Sequence, residues 1–223
     1  MKDKVFISIA GNIGSGKTTV AKLISSIFRY EMYKERVDEN PYIHLFYQDM
    51  KTWSYRVQRF FLLTRVIAHE KINMSDISCV QDRSIYEDVE IFAKNQMKTA
   101  LWTPSEYERY TKFCELILEE LKPPDLMIFL KTSVPVLRKR IRERNRKYEE
   151  QLMRDDDPYL HQIQEMYDNW IKNFIICPKL IIDTDNLNFV KNPDDVKKLV
   201  STIKSALRRK EMKLNEFAGD KGL

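Results

Sequence analysis

Cysteine and glycine are scarce in this 223-residue sequence, and a long apolar run is missing altogether. Because no apolar run approaches the roughly 20 residues that cross a bilayer as a helix, we expect no membrane span. Cys79, Cys114 and Cys177 are odd in number and widely spaced, which matches neither a disulfide framework nor a zinc motif. A reducing, cytoplasmic location is therefore expected. The first strand-like segment begins at residue 5, which we interpret as leaving no room for a targeting peptide.

The sequence also lacks a strong net charge of either sign, because its 38 lysines and arginines are nearly balanced by 33 aspartates and glutamates. The formal net charge of +5 is mild and indicates a solvated surface more than a polyanion-binding one. Hydrophobic residues make up 43% and charged residues 32%, which is the composition of a soluble globular protein. The length suits one α/β domain, which we place at residues 1–209, followed by a charged tail at 210–223.

Three of the five glycines fall within one segment, Gly11-Asn12-Ile13-Gly14-Ser15-Gly16-Lys17-Thr18, which Thr19 follows. The spacing is that of a phosphate-binding loop, and the segment stands between a strand-like run and a helical pattern. In such a loop the backbone N–H groups surround phosphates, the lysine reaches the β- and γ-phosphates, and the threonine hydroxyl binds Mg²⁺. A plain glycine-rich turn is the alternative, but the flanking strand and helix favour a nucleoside triphosphate site, with Lys17 and Thr18 as its phosphate and metal ligands.

Strand and helix patterns alternate along the chain. Strands are predicted over 5–10, 31–37, 77–82, 126–130 and 180–183. Helices are predicted over 18–30, 42–74 (two segments broken near 50–52), 84–98, 104–121, 134–142, 157–175 and 193–209. This alternation is typical of an α/β fold with a five-stranded parallel sheet flanked by helices. Ligands of such sheets bind beyond the carboxyl ends of the strands, so the residues after each strand are the candidates for a site.

An acid and a base stand together after the third predicted strand. Asp82 could bind Mg²⁺ and Arg83 could stabilise charge on a transferring group. A purely structural interpretation is that Ser84 caps the next helix with Glu87 as its partner. The two interpretations are compatible.

Glu35 follows the second predicted strand. Phosphoryl transfer to a hydroxyl needs a group that orients the acceptor and takes its proton, and a carboxylate close to Mg²⁺ and an arginine can do both. Two nearby acids are rivals for this role, Asp38 and Glu39. The spacing alone leaves the choice among the three open.

Every second residue from 138 to 146 is an arginine, namely Arg138, Arg140, Arg142, Arg144 and Arg146. The run could be a solvated helical face, a strip that binds nucleic-acid phosphates, or a lid that closes over a triphosphate. The phosphate-binding loop favours a lid, which we place at about 142–156. Alternate residues do not share one helix face, but Arg140 and Arg144, four residues apart, do.

Several longer segments carry a family resemblance. They are GNIGSGKT, ERVDENPYIHLFY from Glu35, WSYRVQRFFLLTR from Trp53, QDRSIYEDVEIFAK from Gln81, RERNRKYE from Arg142 and YDNWIKNFIICP from Tyr167. Together they resemble the deoxyribonucleoside kinases over nearly the whole chain, and most closely the bacterial deoxyadenosine/deoxycytidine kinases. The resemblance implies a P-loop kinase fold with an arginine-rich lid, and a homodimer formed through the long helices.

The resemblance also implies a role for each matching residue. For the chemical step it implies Glu35 as the base acting on the 5′-hydroxyl, Arg83 as its positioning partner, and Asp82 near Mg²⁺. For the deoxynucleoside it implies that Tyr47 and Glu149 bind the sugar. It also implies that Gln58, Arg65 and Asp88 read the base and that the ring of Phe92 stacks on it. For the lid it implies Arg140, Arg144 and Arg146.

Two positions depart from the pattern of the family. Arg36 follows the base glutamate where many members have proline, which makes the local geometry of Glu35 harder to predict. Asn145 stands between two lid arginines where many members have glycine. Asparagine tolerates a left-handed backbone better than most residues, so we expect the turn to survive.

The predicted function is phosphorylation of the 5′-hydroxyl of deoxynucleosides with ATP and Mg²⁺, which yields deoxynucleoside monophosphates for nucleotide salvage. Gln58, Arg65 and Asp88 are expected to favour deoxyadenosine and deoxycytidine, with deoxyguanosine as a further candidate, over thymidine. One rival is a nucleoside monophosphate kinase resembling thymidylate kinase, but Glu35 would repel an acceptor phosphate. Another is a non-catalytic P-loop protein directed to nucleic acid, for which the sequence lacks interleaved aromatic and basic residues. We therefore expect small-molecule partners and neither nucleic acid nor a membrane.

Overall fold

A computed structural model describes residues 4–219 of the chain, with side chains as far as residue 208. Five parallel strands form one sheet in the order β2-β3-β1-β4-β5. The strands are β1 (Phe6–Ala10), β2 (Glu31–Tyr33), β3 (Cys79–Asp82), β4 (Leu126–Lys131) and β5 (Lys179–Asp183). The predicted five-stranded parallel sheet is confirmed.

Helices connect the strands. They are α1 (Lys17–Phe28), α2 (Ile43–Gln48), α3 (Met50–Met74), α4 (Ile85–Glu87), α5 (Lys94–Lys98), α6 (Pro104–Glu120), α7 (Val134–Arg144), α8 (Tyr159–Asn173) and α9 (Pro193–Gly219). A π-helical turn (Asp88–Ala93) joins α4 to α5, and a 3₁₀ segment (Lys147–Met153) follows α7. None of the helices between residues 4 and 219 combines the length and the apolar character needed to cross a membrane.

Both faces of the sheet are covered because its central strands are apolar on both sides. Ile7 and Ile9 of β1 lie in a buried cluster with Val20 of α1 and Ile203 of α9. Phe129 of β4 lies in a second buried cluster, which includes side chains of α6 and α8. This two-sided burial fixes the sheet and leaves its carboxyl edge free for a site.

The structure ends one predicted strand earlier, moves the predicted helix break by one residue and interrupts one predicted helix. Strand β2 ends at Tyr33 and not at 37, because it is an edge strand whose register with β3 ends at the Tyr33–Gln81 pair. The break in the long helical region lies at Asp49 and not at 50–52, since the Asp49 side chain accepts a hydrogen bond from the backbone N–H of Thr52 and caps α3. The predicted helix over 84–98 is interrupted by the π-helical turn, which includes Asp88.

The last helix also departs from its predicted end. We predicted that it ends at 209, whereas α9 continues to Gly219. The reason is that no proline or glycine interrupts the sequence between Pro193 and Gly219. The predicted start of a tail at 210 therefore falls inside α9, and residues 220–223 lie outside the described part of the chain.

Candidate active site

A cleft of about 1080 Å³ opens at the carboxyl edge of the sheet. It is lined by the phosphate-binding loop and by most of the residues that the sequence singles out, among them Glu35, Tyr47, Gln58, Arg65, Arg83, Phe92, Arg140, Arg144, Arg146 and Glu149. Side chains from distant parts of the chain therefore meet in one place. The structure brings the predicted donor end and the predicted acceptor end into a single continuous cavity.

The loop from Gly11 to Gly16 turns sharply between β1 and α1. Gly11 has φ 150°, and a Cβ atom there would lie 2.7 Å from the Ser15 hydroxyl oxygen and 3.0 Å from the Leu130 carbonyl oxygen. A side chain at this position would therefore displace the loop. The amino group of Lys17 donates hydrogen bonds of 2.9 Å to the carbonyl oxygens of Gly11 and Asn12. Burial, and then the nearby charge of Arg83, lower the pKa of Lys17 to about 8.

Thr18 and Asp82 meet at the start of α1, where the Thr18 hydroxyl donates a 2.5 Å hydrogen bond to Asp82 Oδ2. The other carboxylate oxygen of Asp82 is buried and has no hydrogen-bond partner among the described residues. Burial raises the pKa of Asp82, although the charge of Lys17 opposes the shift. An unsatisfied carboxylate oxygen beside a hydroxyl group is a suitable start for a magnesium site. No cluster of three or more His, Cys, Asp or Glu side chains that could hold a metal occurs in the described part of the chain, so a cation here would need oxygen ligands from phosphates or water.

Glu35 lies between two arginines. Its Oε1 atom is 2.9 Å from Nε of Arg83 and also accepts a hydrogen bond from Arg65. Burial alone would raise the pKa of Glu35, but Arg83 and Arg65 hold it at about 2. The carboxylate is therefore ionised at neutral pH and fixed in direction. Of the rival acids, Glu39 points outward, with 61% of its side chain exposed, and pairs with Arg36.

Arg83 has an unusual backbone conformation, with φ 70°. Its guanidinium group lies 4.8 Å from the centroid of the Phe92 ring and donates hydrogen bonds to Glu87 (3.1 Å) and to the Tyr167 hydroxyl (2.6 Å). Burial alone would lower the pKa of Arg83, but Glu35, Tyr167 and Glu87 raise it well above its usual value. Ser84 and Glu87 form the predicted capping box as well.

Of the predicted base-reading residues, Gln58 and Arg65 line the inner end of the cleft, and Asp88 lies fully buried behind Arg65. Gln58 is buried, and its side-chain amide oxygen Oε1 has no hydrogen-bond partner within the described residues. Arg65 contacts Asp88, its partner in the implied base-reading pair, and it also contacts Glu35, which the sequence did not suggest. Burial raises the pKa of Asp88 to about 6, against the opposing charge of Arg65. Arg65 therefore links the carboxylate at the predicted base pocket to the carboxylate at the predicted reaction centre.

The five arginines of the run point to three different parts of the structure. Arg138 and Arg142 donate to the carbonyl oxygens of Asp157 (2.7 Å) and Met153 (2.6 Å), so they hold the exit of the 3₁₀ segment against α7. Their contacts are structural, and neither lines the cleft. Asn145 has φ 52°, in agreement with the expected left-handed turn after Arg144.

Arg140 does not point with Arg144, although the two residues are four apart on α7. Its guanidinium donates to the carbonyl oxygens of Ser15 (3.1 Å) and Thr184 (2.6 Å). Hydrogen bonds to backbone carbonyls of the phosphate-binding loop and of the segment after β5 hold it away from the acceptor end. In this conformation Arg140 joins two loops, and its predicted contact with transferring phosphate stays a prediction.

Arg144 and Arg146 both face Glu149, which is buried in the 3₁₀ segment. Arg144 lies 2.5 Å from one carboxylate oxygen of Glu149, and Arg146 lies 3.8 Å from the other. Arg146 also pairs with Asp38 at 3.6 Å. Tyr47 lies at the same end of the cleft, with its ring 5.9 Å from that of Tyr148. The predicted sugar-binding pair and two of the predicted lid arginines thus form one group.

Some residues around the cleft were not predicted. The segment from Asp185 to Lys191 lines the donor end, and Tyr159 lines the acceptor end. The first could have been found, because it follows a strand at the carboxyl edge of the sheet, as Glu35 and Asp82 do. Tyr167 had no such signal, since it lies in the middle of α8, and Glu87 was considered only as a helix cap.

Comparisons with known proteins agree with this geometry. A family profile described as deoxynucleoside kinase matches residues 7–208. Two relatives from Bacillus subtilis are each 32% identical. One is a deoxyadenosine/deoxycytidine kinase, aligned over 93% of this chain and 95% of its own length; the other is a deoxyguanosine kinase, aligned over 93% and 100%. A solved structure of deoxyadenosine kinase from M. mycoides, with the products dCMP and a flexible dCDP bound, is 25% identical. It has a TM-score of 0.79 and covers 90% of this chain and 100% of its own.

Proposed function

Because this chain belongs to the deoxynucleoside kinase family, we propose that Glu35 is the base that accepts the proton of the deoxynucleoside 5′-hydroxyl. The protein is an ATP-dependent phosphotransferase that acts on deoxynucleosides, as the sequence predicted. The two rival functions, a monophosphate kinase and a nucleic-acid-directed P-loop protein, lack comparable support.

The observation that carries the proposal is the ionised Glu35 carboxylate held between Arg83 and Arg65 at the wall of the cleft. With a pKa of about 2 it is a weak base. Its contribution is therefore mainly to orient the hydroxyl through a hydrogen bond and to receive its proton as the O5′–phosphorus bond forms. Arg83 stabilises the negative charge that collects on the transferring phosphoryl group.

Mg²⁺ would be held by the hydroxyl of Thr18 and, directly or through water, by Asp82. The pairing of these two side chains and the buried oxygen of Asp82 without a partner support this assignment. When bound, the ion neutralises charge on the β- and γ-phosphates. Lys17 would leave the carbonyls of the loop and pair with the same phosphates, because a buried ammonium gains more from an anion than from two carbonyl groups.

The acceptor pocket would hold the sugar between Tyr47 and Glu149 and the base between Gln58 and Asp88. Phe92, which is buried at the wall of the cleft, supplies a face for stacking. Gln58 carries both a donor and an acceptor and can pair with the amine and ring nitrogen of adenine or cytosine. Asp88, once ionised, accepts a hydrogen from the same exocyclic amine. Thymine would place a carbonyl oxygen there instead.

The test of this substrate class is a phosphorylation panel of deoxyadenosine, deoxycytidine, deoxyguanosine and thymidine with ATP and Mg²⁺. We expect kcat/KM at pH 8 to be at least about tenfold higher for deoxyadenosine or deoxycytidine than for thymidine, because an unpaired buried acceptor costs about 1–3 kcal/mol. A preference for thymidine would contradict the proposed pocket.

The same selectivity should depend on pH through Asp88. Its pKa of about 6 means that the carboxyl is charged above pH 6 and neutral below it. Arg65, Arg83 and Glu87 are the charged groups around it. As the pH falls from 8 to 5, protonated Asp88 can donate to the thymine carbonyl, so the preference over thymidine should shrink. Asp88→Asn, which does not titrate, should show a ratio independent of pH. A wild-type ratio that stays constant over this range would refute the role of Asp88.

An apolar face on α3 and α6 supports a homodimer. Leu63 (59% exposed) and Ile67 of α3, and Phe113 (55% exposed) and Leu116 of α6, all expose large side chains. The two helices are in contact, since the Tyr110 hydroxyl of α6 donates a 3.4 Å hydrogen bond to the backbone carbonyl oxygen of Gln58 in α3. Exposed apolar side chains on two adjacent helices are typical of an interface.

A charge placed in this face should separate the protomers. We expect light scattering of the wild-type chain to give twice its mass of 26.7 kDa, and Leu63→Glu with Phe113→Glu to give the single mass. Ile175→Glu is the control, because Ile175 is 90% exposed in the segment after α8 and lies outside this face. A monomeric wild-type chain, or a dimer that survives the double substitution, would exclude this interface.

A further inference from the structure

Glu87 and Tyr167 lie behind the cleft and contact Arg83 through its Nη1 atom, whereas Nε of Arg83 faces Glu35. Both side chains are fully buried. Neither lines the cleft, and the polar atoms of both are bonded to other groups of the protein. Burying a carboxylate costs folding free energy unless the group is paired and hydrogen-bonded, so the partners of the Glu87 carboxylate indicate its role.

One oxygen of Glu87 joins three separate elements. Its Oε1 atom accepts hydrogen bonds from the Tyr167 hydroxyl (2.6 Å), from Nη1 of Arg83 (3.1 Å) and from the backbone N–H of Gly11 (3.3 Å). Gly11 is the first glycine of the phosphate-binding loop, and Tyr167 belongs to α8. The same carboxylate therefore contacts the loop that receives the donor and the arginine that faces the proposed base.

The second oxygen of Glu87 controls the backbone at Arg83. Its Oε2 atom accepts a 2.7 Å hydrogen bond from the N–H of Ser84, while the N–H of Arg83 donates to the carbonyl oxygen of Ile9 at 2.9 Å. Between these two bonds Arg83 adopts φ 70°, which is uncommon for a residue other than glycine. Such a conformation persists only where its surroundings enforce it, and it is concentrated at functional sites.

From this network we infer that Glu87 and Tyr167 are positioning residues for phosphoryl transfer: they set the direction of the Arg83 guanidinium relative to Glu35 and to the phosphate-binding loop. The inference rests on the roles proposed above for Glu35 and Arg83. Four contacts restrict Arg83 (Glu35, Glu87, Tyr167 and the ring of Phe92), and two of them come from these residues. Loss of either should leave substrate binding intact and slow the transfer, because a misplaced arginine acts mainly on the transition state.

Tyr167→Phe is the most direct test, because it removes one hydroxyl group and keeps the ring in the core. We expect kcat to fall about tenfold, with KM for the deoxynucleoside and for ATP changing less than threefold, as for a lost hydrogen bond to a charged group. Tyr86→Phe is the matched control, since Tyr86 is buried in the same apolar cluster and no hydrogen bond from its hydroxyl to Arg83 or Glu87 occurs in the described residues. Equal losses in the two variants would indicate a loosened core and would overturn the inference.

A double-mutant cycle separates positioning from general damage. In an Arg83→Gln chain, Tyr167→Phe should cost less than twofold in kcat, because the group that it positions is already missing. In a second cycle, the effects of Glu87→Gln and Tyr167→Phe on kcat should also be non-additive. This cycle replaces the first if Arg83→Gln folds poorly. Independent losses that multiply in both cycles, or a wild-type kcat for Tyr167→Phe, would refute the inference. If Arg83→Gln itself retains full kcat, the proposed role of Arg83 is at fault.

Discussion

Glu35→Gln should lower kcat by about 10²–10⁴-fold, the usual cost of losing a general base, while ATP still binds. The amide keeps the shape of the carboxylate but can neither receive the proton of the 5′-hydroxyl nor hold Arg83 and Arg65 by charge. The fold should survive, because Arg65 keeps its contact with Asp88, and Arg83 keeps Glu87. Single-turnover kinetics measure the transfer step, and calorimetric titration with ATP measures donor binding.

Glu39→Gln is the matched control for this prediction. It removes a carboxylate four residues away that is 61% exposed and paired with Arg36, and we expect kcat to stay within about twofold. If the Glu35→Gln enzyme keeps most of its kcat, another acid must be the base. The pH profile supplies an independent check. Because the pKa of Glu35 is about 2, any acid limb in kcat/KM between pH 5 and 8 must come from another group.

The sheet and the phosphate-binding loop could be predicted because their signals are local. The loop is a contiguous motif, and the strands are apolar runs separated by helical patterns, so each could be identified from neighbouring residues. The rule that ligands bind at the carboxyl edge then selected Glu35 and Asp82. Applied to β5 as well, it would have selected the segment from Asp185 to Lys191.

Side-chain networks could not be predicted in the same way. The Arg83–Tyr167 hydrogen bond joins residues 84 positions apart, and nothing in the helical pattern of α8 distinguishes Tyr167 from a core residue. Helical spacing could not predict the partners of Arg140 either, because spacing determines the face from which a side chain leaves the helix but not the groups that a long side chain reaches. The carbonyl oxygens of Ser15 and Thr184 determined the outcome.

The contact between Arg65 and Glu35 has a consequence for catalysis that the sequence did not suggest. Since Arg65 contacts Asp88 as well, a base that draws Asp88 into a new hydrogen bond would change the charge available to Glu35. In the proposed mechanism, recognition of the base and activation of the 5′-hydroxyl are electrostatically connected through the guanidinium group of Arg65. Substituting arginines that do not contact Glu35 therefore tests the transfer step without also changing the charge around the proposed base.

Arg144→Ala and Arg146→Ala should each lower kcat much more than they raise KM for the deoxynucleoside. Both arginines now pair with the buried Glu149 at the entrance of the cleft, and a phosphate group that collects negative charge would draw them toward it. Contacts that form mainly in the transition state appear in kcat, and arginines that stabilise phosphoryl transfer contribute about 10³–10⁵-fold in the best-studied enzymes. Since two arginines share the charge here, we expect a loss of about 10²-fold for each.

Arg154→Ala is the control for both variants, because Arg154 belongs to the same segment but is 68% exposed and pairs with Asp156. Its kcat should stay within about twofold of the wild type. The stability of the Arg144→Ala variant must be measured in the same experiment, since losing Arg144 leaves the buried carboxylate of Glu149 with Arg146 alone. Comparing thermal unfolding of the variants separates a loss of stability from a loss of transition-state contact. If Arg144→Ala and Arg146→Ala keep kcat and raise only KM, the two arginines hold the nucleoside through Glu149 and do not act as a lid over the phosphates.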